Sequence, residues 1–178
     1  MGGTAVTQDE FNELLATFEH SAFRLETRDR YALGYERADF HRFLAGTALP
    51  PPEVDWWRPW LERITEMTRQ GKRISRVRVL ADPPTDYQRW ELWAAPWHAQ
   101  AGEQIGYMPR SRAVNLGLPL GTDWWLLDDE RLIIMWYTDD DEIAGKSLTT
   151  DPGIVAQHRE WRDLAVQNAI PAEEIAAA

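Results

Sequence analysis

Leu132 to Tyr137 is an unbroken apolar run, and it constrains the fold more than any other segment. Side chains alternate across a strand, so such a run exposes apolar groups on both faces unless both are covered. It is therefore predicted to be a central strand, Leu132–Tyr137, in a sheet with packed layers on each side. Asp123 to Asp128, which includes Trp124, Trp125, Leu126 and Leu127, pairs with it as a hairpin around the acidic turn Asp128, Asp129 and Glu130.

Helical and strand periodicities alternate along the rest of the chain. Thr7 and Glu10 form a capping box, and Phe11, Leu14, Leu15 and Phe18 follow at helical spacing. A short strand holds Phe23 and Leu25. Tyr35 to Leu44 reads as a second helix, stopped by Gly46 and the prolines at 50–52. The next helix starts near Asp55 to Pro59 and ends at Gln70, with Trp57, Trp60, Leu61, Ile64 and Met67 on one face and Gly71 at its C-cap. Lys72 to Leu80 is a predicted strand with Val77 and Val79 inward and Arg76 and Arg78 outward. A second capping box, Thr85 with Gln88, opens a Trp-rich helix that Pro96 should kink or shorten. Gln104 to Met108 is a further strand, then a basic turn from Pro109 to Arg112. A weaker strand ends near Leu148. Asp151 and Pro152 then start a last helix to about Ala169. The expected fold is α/β or α+β: one domain over residues 1–178, a single mixed sheet of about five strands, and helices on its faces. Residues 1–6 and 171–178 are expected to be flexible.

The chain has 178 residues and no cysteine, which excludes disulfides, thiolate metal sites and thiol nucleophiles. No run is long enough to cross a membrane, and no secretion signal or myristoylation pattern occurs at the start. A cytoplasmic protein is expected. A formal charge of −10 argues against direct nucleic-acid binding, which needs a cationic stripe to displace counterions from phosphates. Acidity suits solubility, or docking on a basic partner.

Ten tryptophans imply an aromatic core or an aromatic-lined cleft. Trp90, Trp93 and Trp97 recur at helical spacing with Tyr87 one turn earlier. Core packing explains such a stripe, yet four large rings on one short helix are hard to bury together, so some could line a ligand or partner surface with Trp124. Glu91 and His98 share a face if Pro96 does not break the helix, and could act as an acid/base pair; otherwise they face solvent. With Glu103 and Asp123 they make up the catalytic alternative. Arg110 and Arg112 beside a strand end could hold a phosphate or carboxylate, or pair with surface acids. The histidines lack metal-ligand spacing, and Asp139 to Glu142 fails the EF-hand frame at Ala144. No metal or cofactor is expected. Serine-elbow, Walker and dinucleotide motifs do not occur.

Phe18 to Glu26, Arg76 to Val79, Ala101 to Glu103 and Asp123 to Asp128 carry a resemblance to an uncharacterised family of actinobacterial domain-of-unknown-function proteins. These are typically encoded beside helix-turn-helix regulators, so the resemblance implies such a regulator as partner. The C-terminal two-thirds also resembles a phospholipase-D-type half-domain in its order of elements. Such domains carry H-x-K-x-x-x-x-D before a hairpin. With the Asp at Asp128, Gly121 stands in place of the His and Asp123 in place of the Lys. An acid in place of the phosphate-holding cation inverts the field that phosphoryl transfer needs. The leading expectation is therefore a non-catalytic binding or regulatory module that recognises a protein partner or small ligand through its tryptophans. The alternative is a small biosynthetic or hydrolytic enzyme. Asp123 is expected to cap a strand or pair with an arginine, and Asp128 to accept backbone N–H bonds at the hairpin.

Overall fold

The computed structural model describes residues 3–175. In chain order the elements are β1 (Thr4–Ala5), α1 (Gln8–Thr17), β2 (Ser21–Glu26), α2 (Arg37–Leu44), α3 (Arg58–Arg69), β3 (Arg73–Leu80), α4 (Asp86–Ala101), β4 (Gln104–Pro109), α5 (Arg110–Asn115), β5 (Asp123–Leu127), β6 (Arg131–Tyr137), β7 (Ile143–Thr149), α6 (Pro152–Asn168), β8 (Ile170–Pro171) and α7 (Ala172–Ile175). All eight strands form one mixed sheet in the order β1-β7-β6-β5-β2-β3-β4-β8. The expected mixed sheet with helices on its faces is present, but with eight strands instead of about five. The difference lies in the weak β7 and two two-residue edge pairings, which are too short to show an alternating pattern. Those edge strands fall at the two ends expected to be flexible; residues 1, 2 and 176–178 lie outside the described part.

Two pairing modes meet in the middle of the sheet. β2, β3 and β4 are parallel neighbours, and the connections between them run through α3 and α4, as parallel pairing requires. β5, β6 and β7 form an antiparallel meander, and β5 joins it to β2 in antiparallel register, with Arg24 opposite Trp125. The hairpin at Asp128 and Asp129 turns through two residues of positive φ, 55° and 61°, the conformation of a tight two-residue hairpin that Asp tolerates. Asp128 accepts N–H groups from Glu19, His20 and Ser21 (2.7–3.1 Å) and a guanidinium N–H of Arg131 (2.7 Å). It thus ties the hairpin to the end of α1 and the start of β2.

Both faces of the sheet are covered. Under α5 and α6, Leu25, Val77, Met108, Trp124, Leu126 and Leu132 form one core. Under α1 and α3, Ala22, Ile74, Trp125, Leu127, Ile133 and Met135 pack against Leu15, Ile64 and Met67. A third cluster, Tyr31, Val54, Trp57, Leu61, Tyr87 and Trp90, fills the space between α2, α3 and α4. The segment expected as a basic turn after β4 is instead helix α5. Ala113, fully buried against the sheet, holds it there. α4 runs unbroken through Pro96. The ring sits on the exposed side, so the carbonyl left without its N–H partner is on the side water can reach. No described helix is long and apolar enough to cross a membrane.

Candidate functional site

Period-two alternation places Arg24 and Glu26 of β2, and Arg76 and Arg78 of β3, on the sheet face that α4 covers. The two arginines of β3 do point away from Val77 and Val79, as the sequence pattern predicts. They do not reach solvent, however: Arg76 is 5% and Arg78 8% exposed. Parallel strands are covered on both sides, so charges on the second face are buried charges.

These charges satisfy one another in a dense network. Glu26 is approached by Arg24 (2.9 Å), Arg76 (3.4 Å) and, most closely, Arg78. Arg78 also meets Glu91 of α4 at 2.5 Å, and Arg76 donates to Glu103 at 2.5 Å. Burial alone would raise the pKa of Glu26, but three guanidinium groups overcome it and hold the carboxylate well below its ordinary range. Burial would likewise raise Glu103, yet Arg76 and His98 hold it at about 2. Glu91 goes the other way, since burial outweighs Arg78 and lifts it to about 8. Burial also lifts Glu36 to about 7 against the hydroxyl of Tyr87.

Above this floor lies a cavity of about 660 Å3, within the size range of small-molecule sites. Its walls are aromatic: Trp56, Trp57 and Trp60 from the start of α3, Tyr87 and Trp90 from α4, and Tyr31 and Tyr137 near β2 and β6. Trp56 stacks on Trp57 at 4.7 Å and 16°, and Trp90 meets Trp57 edge-on at 5.2 Å. Trp57 is held from behind. Its indole N–H donates to Nε2 of His98 (2.9 Å), whose Nδ1 lies 2.6 Å from Glu103. An indole can only donate, so Nε2 is the acceptor and Nδ1 carries the hydrogen given to Glu103. Burial lowers the pKa of His98 in spite of Glu103, in keeping with a neutral ring bound at both nitrogens.

The sequence-predicted residues separate clearly. Trp90, Glu91 and His98 line the cavity. Glu103 stands behind it, fully engaged by Arg76 and His98. Asp123 is completely buried, accepting from the N–H and hydroxyl of Thr27 and from the hydroxyls of Tyr31 and Tyr137, with Arg24 at 3.6 Å. Trp93 packs on Trp97 and on Phe43, away from the cavity. Trp124 faces the opposite core beside His158. Arg110 reaches Asp29 and the carbonyl of Thr27, while Arg112 reaches the carbonyl of Asn168; the two do not converge on one point. Glu91 and His98, expected to face solvent if Pro96 broke the helix, are instead turned to the sheet because the helix continues. Sequence reasoning missed Arg24, Glu26, Tyr31, Trp57, Arg76 and Arg78 as site residues. The available signal was charge alternating with apolar residues on strands that parallel pairing would cover. Among the described residues, no group of three acid or histidine side chains could hold a metal ion.

Fold and cavity together define a mixed α/β protein with a pocket that is aromatic on its walls and ionic on its floor. Residues 9–177 match the family model described as Domain of unknown function (DUF6879), and the chain belongs to that family. No curated protein matches it.

Proposed function

We propose that this protein is a non-catalytic binding module that holds a small ligand in the aromatic cavity. The observation that carries this reading is a cavity of about 660 Å3 at which three of the four candidate catalytic groups are already committed elsewhere. Both nitrogens of His98 are bonded, Glu103 is closed off, and Asp123 lies behind the wall. A general base must reach the proton it takes, and none of these three has a free position to do so. The implied setting is cytoplasmic and regulatory, with a helix-turn-helix regulator as the partner suggested by the actinobacterial resemblance. A degenerate phospholipase-D-type scaffold is compatible with the same absence of turnover; its support is the order of elements and the missing His and Lys.

Native mass spectrometry of protein purified from its host tests the binding reading. A bound metabolite, lost in Trp60→Ala with the fold intact, is the expected result. No adduct from host extract would overturn it. One observation favours the enzyme alternative: Glu91 and Glu36, both held near neutrality, border the same cavity, as a general acid would. Release of a chemically altered metabolite, abolished by Glu91→Gln, would establish that reading in its place.

A further inference from the structure

Two buried hydrogen-bond donors, on residues that line the cavity, have no partner. They are Nε of Arg24 and the indole Nε1 of Trp125. Arg24 gives one terminal nitrogen to Glu26 at 2.9 Å and has the other 3.6 Å from Asp123, which leaves Nε unmatched. The two groups are neighbours: Arg24 and Trp125 face each other across β2 and β5, and the guanidinium carbon lies 5.4 Å from the Trp125 ring. An unmatched buried donor is costly, so a neighbouring pair on residues of one cavity marks a position where an acceptor belongs.

Charge indicates what kind of acceptor. The chain carries −10 overall, yet five of the side chains lining this cavity are arginine or lysine and three are glutamates. On the floor, Glu26 alone is shared by three guanidinium groups. Arg24, Arg76 and Arg78 are matched by Glu26, Glu91, Glu103 and Asp123, and Arg63 and Lys146, which line the same cavity, are the cations left over for a ligand. The rest of its lining is indole and phenol, which suits the flat face of an aromatic ring.

We infer that the cavity takes an aromatic acid, its carboxylate or phosphate group accepting from Arg24 Nε and Trp125 Nε1 and its ring packed among Trp56, Trp57 and Trp60. This rests on the reading of the cavity as a ligand site and names the class of ligand. Charge-assisted bonds from such donors to an anionic oxygen are stronger than neutral ones. The same geometry serves a carboxylate or a phosphate, so the probes must separate them.

Calorimetric titration of the full chain with indole-3-acetate, phenyl phosphate, indole-3-acetamide and acetate tests the inference. At least one of the two aromatic acids should bind ten-fold or more tightly than the neutral amide, and acetate should not bind. Whichever acid binds identifies the anion. Arg24→Met and Trp125→Phe should each weaken the acid at least ten-fold while leaving the amide unchanged. Trp125→Phe keeps an aromatic ring at the position and removes the indole N–H, so it remains informative if Arg24→Met fails to fold. Equal affinity for acid and amide would overturn the anion assignment and leave the binding reading standing. If none of the ring-bearing probes binds while a host metabolite does, the aromatic-acid class is wrong; if nothing binds at all, the binding reading falls with it.

Discussion

Asp123, read in the sequence as a strand cap or arginine partner and alternatively as a catalytic acid, is a joint between segments of the fold. Its two oxygens collect three hydroxyls and a backbone N–H from two segments, the loop after β2 (Thr27 and Tyr31) and β6 (Tyr137). Asp123→Ala should destabilise the protein by about 3–5 kcal/mol, because it leaves several buried donors without a partner; urea melts measure this. Glu91 makes a different prediction. Unfolded, it titrates near 4.5, and folded near 8. Between those values the folded chain holds a proton that the unfolded chain has lost, so this group's contribution to stability falls as pH rises. Glu36 adds a slope of the same sign up to about 7. Glu91→Gln imitates the protonated acid, so the loss of stability from pH 5 to pH 8 should be smaller in the variant than in the parent. Equal slopes would show that Glu91 stays ionised beside Arg78.

At the scale of elements, most of the fold was legible because its signals are local. Both capping boxes, at Thr7 and Thr85, form as the sequence implies, and Asp151 caps α6 through two N–H bonds. Three features were not legible. The edge strands are two residues long. α5 lacks a side-chain cap, and its helix is fixed by burial of Ala113. The outward face of β3 became a floor only because α4 lies across it, and the propensity of neither segment records that contact. Beyond Trp90, Glu91 and His98, the site was illegible for the same reason: Arg24, Arg76 and Trp57 come from elements far apart in sequence and meet only through β2–β3 pairing and helix packing. The central strand was read correctly, with a refinement. Ile133 is fully buried and Ile134 only partly so. Ile133→Ala should therefore cost about 2–5 kcal/mol through transfer and cavity terms, and Ile134→Ala distinctly less. Denaturant melts showing the opposite order would reverse the assignment of the two faces.

For the whole molecule, an acidic chain encloses a site where buried arginines and acids are paired. Bare DNA should be repelled at physiological salt, and a gel-shift assay with purified protein should show no complex; a micromolar complex would make the chain a direct DNA reader. The buried network of Arg24, Glu26, Arg76 and Arg78 also has a consequence for selection. Replacing buried ion clusters with well-packed apolar residues is often neutral, or stabilising by about 1–4 kcal/mol. A library randomised at these four positions and sorted only for folded expression should drift toward apolar combinations. Sorted instead for capture of an aromatic acid, the same library should return arginine at position 24. The divergence between the two pools would measure how far this sheet departs from the sequence that folding alone would favour.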